Sequence, residues 1–228
     1  MTRPRAIRFG SNAVSLRRGR LLVVALALVA PALAACARTI APLRGAPVSP
    51  SAIPRIELSG SRQIVFRWEY NEEAIVARGE GVARLAAPDS ARIDFFVDGG
   101  FGGGYALLFG DRVVVPGGDL IRNMLPSTPM LWAAVGRVAV PPAADTVATV
   151  DAGILRADIG REPRWRLAFA GGRLTSLERV EEGHVSESLS RAPDGTIRYL
   201  NPRGRRMLRI TITREETVPG FDASIWRP

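Results

Sequence analysis

The sequence holds one cysteine, Cys36, one histidine, His184, and no lysine, so few side chains can act as nucleophile, base or soft metal ligand. A single histidine cannot build a His-rich zinc site within one chain, and a serine triad would have to use this one. The nearest serines, Ser186, Ser188 and Ser190, lie on a polar stretch beside Glu181 and Glu182, with no strand-to-helix elbow around them. The 22 Asp and Glu residues offer many carboxylate pairs for glycoside hydrolysis, but nothing in their spacing selects one. Asp98-Gly-Gly-Phe101-Gly-Gly-Gly104 is rich in glycine, yet no lysine follows and no helix opens there, so a phosphate loop is excluded. These patterns predict no catalysis, no cofactor and no metal site, and leave a hydrolase as the weakest reading.

The remaining reactive group is the Cys36 thiol, and its surroundings say what it is for. Arg3, Arg5, Arg8, Arg17, Arg18 and Arg20 precede an apolar run from Leu21, with no acid among them. That layout is a secretory signal, and the run is short of the roughly 20 residues a spanning helix needs. It ends in Leu33, Ala34, Ala35 and Cys36, which resembles the lipobox of bacterial lipoproteins, where the sulfur is lipidated and the chain cut just before it. Residues 1–35 are therefore read as a signal peptide. An ordinary cleaved signal or a short uncleaved anchor are the alternatives.

Charge and composition then lose most of their apparent meaning. The leader carries six of the 31 basic residues behind the formal +9, which leaves 25 arginines against 22 acids downstream. A mature chain of about +3 gives no case for nucleic acid. With Cys36 lipidated, no thiol is left for a disulfide. The roughly 193 mature residues suit one domain with a sizeable core.

Residues 36–60, with Pro42, Pro47, Pro50 and Pro54 and no sustained periodicity, read as the lipidated cysteine and a flexible tether. The domain, 61–228, opens with Ile64, Phe66, Trp68 and Tyr70 alternating against Val65, Arg67 and Glu69, the period of a half-buried strand. In the next strand Gly79 and Gly81 share a face with Ile75, Ala77 and Ala83, which allows strong curvature or close approach by another element. Ile93, Phe95 and Val97 alternate in a third. Strands over Tyr105–Phe109 and Arg112–Val115 follow, then two short apolar helices carrying Leu120, Ile121, Met124 and Leu125, and Leu131 and Trp132. After Pro141–Asp145 a run of hairpins includes Trp165, Leu167 and Phe169. About ten strands with short turns predict a mainly β (α+β) chain, with an antiparallel sheet that two short central helices must cover.

The lipobox, the tether, an aromatic first strand, a glycine-alternating second, an Arg-Ile-Asp-Phe strand, a central helical interruption near Leu125-Pro126 and a run of hairpins make the chain similar to the bacterial LolA/LolB-like lipoproteins. This is a superfamily of lipoprotein carriers and receptors. The resemblance implies an unclosed, curved half-barrel whose concave side, plugged by the helices, holds acyl chains of lipoproteins or other hydrophobic molecules. It implies no enzyme, but a lipid-anchored envelope protein with a lipid or lipoprotein acyl chain, the membrane and a periplasmic carrier protein as partners. Ala37 after the cysteine, where the enteric scheme would put an aspartate for inner-membrane retention, points to the periplasmic face of the outer membrane. The ligand contacts so implied are Phe66, Trp68, Phe95, Leu120, Ile121, Met124, Leu125, Leu131, Trp132, Trp165, Leu167 and Phe169, all of which ordinary core packing would place inside as well. Phe101 either touches a membrane, as an exposed apolar loop residue does in the family's receptor, or simply continues a strand. A structural lipoprotein with a filled core would share every one of these strands.

Cys36→Ala is expected to abolish lipidation and release the chain from the membrane. Mass spectrometry of the mature wild-type chain checks this, and an unmodified N-terminus would overturn the anchor.

Overall fold

The twelve residues of β2 (Ser61–Glu72) set the geometry of the sheet, because their inward face is a row of large rings: Ile64, Phe66, Trp68 and Tyr70 are 4%, 3%, 1% and 1% exposed. The computed structural model describes residues 40–228 except 74, 101, 117 and 118, and leaves the side chains of 119, 120 and 123 undescribed. The neighbouring β3 (Ile75–Ala86) places Gly81 opposite Phe66 and Gly79 opposite Trp68, and β4 (Ser90–Val97) places Phe95 on the other side of Gly81. Rings two strands apart thereby meet: Phe66 and Phe95 lie 5.9 Å between centroids, Trp68 and Phe95 6.0 Å, both edge-to-face. Strands spaced by about 4.8 Å hold next-but-one neighbours nearly 10 Å apart. Closing that gap takes an intervening strand without side chains and a sheet that curls toward the rings.

The remaining strands are β1 (Ala46–Val48), β5 (Gly103–Phe109), β6 (Arg112–Val114), β7 (Thr146–Asp151), β8 (Ile154–Ile159), β9 (Arg164–Ala170), β10 (Arg173–Glu181), β11 (His184–Arg191), β12 (Ile197–Asn201) and β13 (Arg206–Val218). All described strands form one sheet in the order β1-β7-β8-β9-β10-β11-β12-β13-β2-β3-β4-β5-β6, every pair antiparallel. The sheet is open, with β1 and β6 at its edges. Two meanders meet where β13 pairs with β2, and each runs outward to its own edge. The chain leaving β6 must therefore cross the whole sheet to begin β7 at the far side. The crossing segment contains α1 (Asp119–Met124) and α2 (Thr128–Ala134), and an apolar segment that crosses a sheet lies on its apolar face. One buried cluster joins residues of β2, β3, β4 and β5, of α1 and α2, and of β9 to β13. The compact unit Ile40–Pro228 thus holds its own core, as an independently folding domain requires.

Several sequence expectations change. The described strands number thirteen where about ten were expected. Two were overlooked: β1, three residues with a proline on a sheet edge, where its missing N–H costs no ladder bond, and β7, hidden behind the proline-alanine link. From Ala46 the chain pairs with β7, and Leu58 is buried in the core with Ile53 and Ile56 packed on it. Of the two expected covering helices, one does most of the covering. In α2 every residue from Met130 to Ala134 is buried, whereas α1 is a six-residue segment beside β5 that contributes Ile121 and Met124. The helix stops at Ala134, with Val135 as its cap and Gly136 at φ +89° just beyond. Ala223–Trp226 is a 3-10 turn whose Ile225 carbonyl accepts from Arg92. Cys36 and its motif Leu33–Ala35 lie outside the described residues, as does Phe101.

A Cβ at position 81 would strike the Phe66 ring and approach the Asp94 carbonyl. Gly81→Val is therefore expected to destabilise the domain by about 1–3 kcal/mol through overpacking. Urea unfolding checks this, and a variant as stable as the wild type would remove the ring-over-glycine contact from the account of the fold.

Candidate functional site

The apolar face of the sheet and the helix that closes it make the candidate site. Along β11 the residues Glu187, Leu189 and Arg191 alternate toward α2, and the two charged ones reach its opposite ends. At the start of the helix the Ser127 backbone N–H donates to Glu187 Oε1 at 3.3 Å, and the Tyr199 hydroxyl donates to the same oxygen at 2.7 Å. At the other end Arg191 Nη2 donates to the carbonyls of Ala133 (3.4 Å) and Ala134 (3.1 Å). Four strand residues span about 14 Å, and the seven of α2 rise about 10 Å. Acid and base on one strand are thus spaced to straddle the helix. Their signs match its dipole, negative at the N-terminus and positive at the C-terminus, an arrangement worth about 0.3–1 kcal/mol at each end. Glu187 is 7% exposed, and its burial is made tolerable by these donors and by Arg179, 3.8 Å from Oε2. Burial and the Glu187 carboxylate both push the Tyr199 hydroxyl well above its ordinary range, so it stays protonated and keeps donating.

Further contacts hold the helix from other sides. Trp132, fully buried, donates its indole N–H to the Gly110 carbonyl at 2.6 Å, and the Arg137 guanidinium stacks over its ring at 4.7 Å. Arg62 reaches the Val135 carbonyl at 3.4 Å and forms an ion pair of 2.6 Å with Glu215.

The space left beneath the helix is small. An apolar void of about 30 Å³ lies among Phe66, Phe95, Leu131, Val135, Leu189 and Leu208, with Tyr199 at its wall. A second void of about 10 Å³ is lined by Phe95, Ile121, Met124, Leu125 and Leu208. Of the residues singled out from sequence, Phe66, Phe95 and Leu131 gather at the first void, and Ile121, Met124 and Leu125 join Phe95 at the second. Trp68, Trp132, Trp165, Leu167 and Phe169 are buried in the same core without lining either void. The Leu120 side chain is outside the description. Where the helix ends, the interior opens into a cavity of about 320 Å³ bordered by Arg62, Arg173, Arg191 and Glu215.

Sequence reading passed over the polar half of this site. Glu187 and Arg191 sit on a strand of alternating serines and charges that looks solvated, and no local signal says that a helix far away in sequence lands on one face of it. The residues first weighed for hydrolysis are not assembled: His184 is exposed with Nδ1 2.8 Å from the Glu182 carbonyl, and Ser186 donates to the Arg179 carbonyl. The arginines of the last hairpin are drawn into surface ion pairs, Arg203 with Glu182, Arg205 with Glu73 and Arg206 with Glu72. Among the described residues no three potential metal ligands cluster, and no helix is long and apolar enough to cross a membrane.

No protein-family model matches the sequence, and no curated protein is significantly similar to it. Solved structures do match in fold. A LolA superfamily protein from Nitrosomonas europaea superposes with a TM-score of 0.50 at 8% identity, over 74% of this chain and 90% of the other. A DUF1329 family protein from Desulfovibrio piger gives a TM-score of 0.50 at 13% identity, again over 74% and 90%. The fold is LolA-like: mainly β, with one large, unclosed antiparallel sheet.

Glu187→Ala should strand the Tyr199 hydroxyl and the Ser127 N–H inside the core, at a cost of about 1–3 kcal/mol. A double-mutant cycle with Tyr199→Phe in urea unfolding is expected to show coupling between the two. Additive effects would mean that the carboxylate does not hold this end of the helix.

Proposed function

We propose that this LolA-like half-barrel binds a hydrophobic ligand, an acyl chain of a lipid or lipoprotein, against the face that α2 covers, and does so at a membrane to which Cys36 anchors it. The observation that carries the reading is how the apolar face is closed. A thirteen-stranded sheet buries its rings under one seven-residue helix instead of a second layer, and that helix is fastened at its ends by side chains from a single strand. Each methylene of an acyl chain moved from water into such an interior gains about 0.8 kcal/mol. A long enough acyl chain offsets both the contacts at the ends of α2 and the burial of Met130 to Ala134, and so can displace the helix. The contacts would come from the residues under the helix, Phe66, Phe95, Leu131, Ile121, Met124 and Leu125, with Trp68, Trp132, Trp165, Leu167 and Phe169 behind them and Leu120 and Phe101 as further candidates. The relative described as a LolA superfamily protein supports a binding role over catalysis. In this reading the chain sits in the bacterial envelope on the periplasmic side of the outer membrane and exchanges its ligand with a periplasmic carrier or with the membrane.

One observation favours a second reading, a structural envelope lipoprotein: with the helix in place the interior void is only about 30 Å³. The two readings differ in whether α2 can be displaced. Titration of the soluble domain with a fluorescent acyl probe is expected to saturate at one equivalent and to raise acrylamide quenching of Trp132, identified by subtracting Trp132→Phe. Absence of saturable binding, together with no acyl chain in organic extracts of the purified domain, would decide for the structural protein.

A further inference from the structure

The cavity at the C-terminal end of α2 carries more positive charge than its walls balance. Its apolar floor is made by Ile64, Val135, Leu174 and Ile212, and its polar wall by Arg62, Arg173, Arg191 and Glu215. Glu215 is the one carboxylate there and is taken by Arg62 at 2.6 Å. Arg173, exposed at the turn between β9 and β10, has no hydrogen bond or ion pair among the described residues. Arg191 spends Nη2 on two helix carbonyls, while a guanidinium has five N–H donors, so Nε and Nη1 remain without an acceptor among the described residues. Burial, with the Arg173 charge adding to it and Glu215 opposing, pushes the Arg191 guanidinium below its ordinary range. An anion between them would relieve that repulsion and accept the idle donors.

The cavity also leads inward. Ile64, Ala134, Val135 and Ile212 line both it and the apolar void beneath the helix. At about 320 Å³ it stands at the lower end of small-molecule pockets, which run from about 300 Å³ upward.

From this juxtaposition we propose that the mouth is a binding site for anionic amphiphiles, with a carboxylate or phosphate head on Arg173 and Arg191 and the hydrocarbon chain entering between Ile64, Val135 and Ile212. The proposal rests on the acyl-binding reading and narrows it to chains with an acidic head. A neutral ester would leave both arginines as they are. The planar donors of arginine take either oxyanion in a two-pronged, charge-assisted pair.

The test compares dodecanoate, dodecyl phosphate, dodecanol and inorganic phosphate by calorimetry on the soluble domain, all below micelle concentrations. Dodecanoate or dodecyl phosphate is expected to bind at least tenfold more tightly than dodecanol and than inorganic phosphate, and the tighter of the two identifies the natural head group. Arg173→Gln, at an exposed position whose side chain has no hydrogen bond or ion pair among the described residues, should remove most of that preference while leaving dodecanol binding unchanged. Raising the salt concentration should weaken the two acids only. Equal binding of acid and alcohol would overturn the head-group site and leave acyl binding standing. Inorganic phosphate binding as tightly as the amphiphiles would replace the proposal with a free-anion site. Failure of both acids and the alcohol to bind would overturn acyl binding itself.

Discussion

The constraint on which the rest of this structure depends is topological. Two meanders meet at the β13–β2 pair and run outward, so the link from β6 to β7 must pass from one edge of the open sheet to the other. It carries large apolar side chains, so it passes over the face where the rings of β2 and β4 already lie. A crossing segment in that position would bury backbone groups without partners unless it formed its own hydrogen bonds. A helix meets that requirement except at its ends, and the ends are where Glu187 and Arg191 wait. The cover, its polar fastenings and the single strand that supplies two of them are consequences of one chain path.

That arrangement also places chemistry at the boundary between apolar and polar. Beneath the helix the interior is apolar and nearly filled, whereas at its C-terminal end the floor continues outward into a cavity walled by three arginines and one glutamate. The same Arg191 that satisfies the helix carbonyls faces that cavity. In the proposed site a head group on Arg191 would use Nε and Nη1 and leave Nη2 on the helix carbonyls, so one guanidinium would serve both the mouth and the cover.

Much of the sheet was legible without coordinates, and the reason is local. Period-two alternation reports which face of a strand is buried, and Ile64, Phe66, Trp68 and Tyr70 obeyed it to within a few per cent of full burial. Gly79 and Gly81 on the buried face signalled close approach, and the rings from β2 and β4 are what approaches. The short strands escaped for the same reason: Ala46–Val48 offers three residues, one of them proline, and alternation needs more than that to be heard. Turn residues likewise marked where strands end but could not say that Ala223–Trp226 coils into a 3-10 turn.

By itself, then, the sequence determined the strand periodicity and the apolar character of the segment between the two meanders, and it set the expectation of a leader ending at its one thiol. These are properties of residues and their near neighbours. Only the tertiary structure decided that β13 pairs with β2, that one helix closes the face almost completely, and that Glu187 and Arg191 serve its ends while the Arg173 side chain finds no partner among the described residues. Each of those outcomes joins residues far apart along the chain. Strand pairing brings them together through backbone hydrogen bonds that look the same whatever side chains they carry, so nothing in the local sequence could announce them.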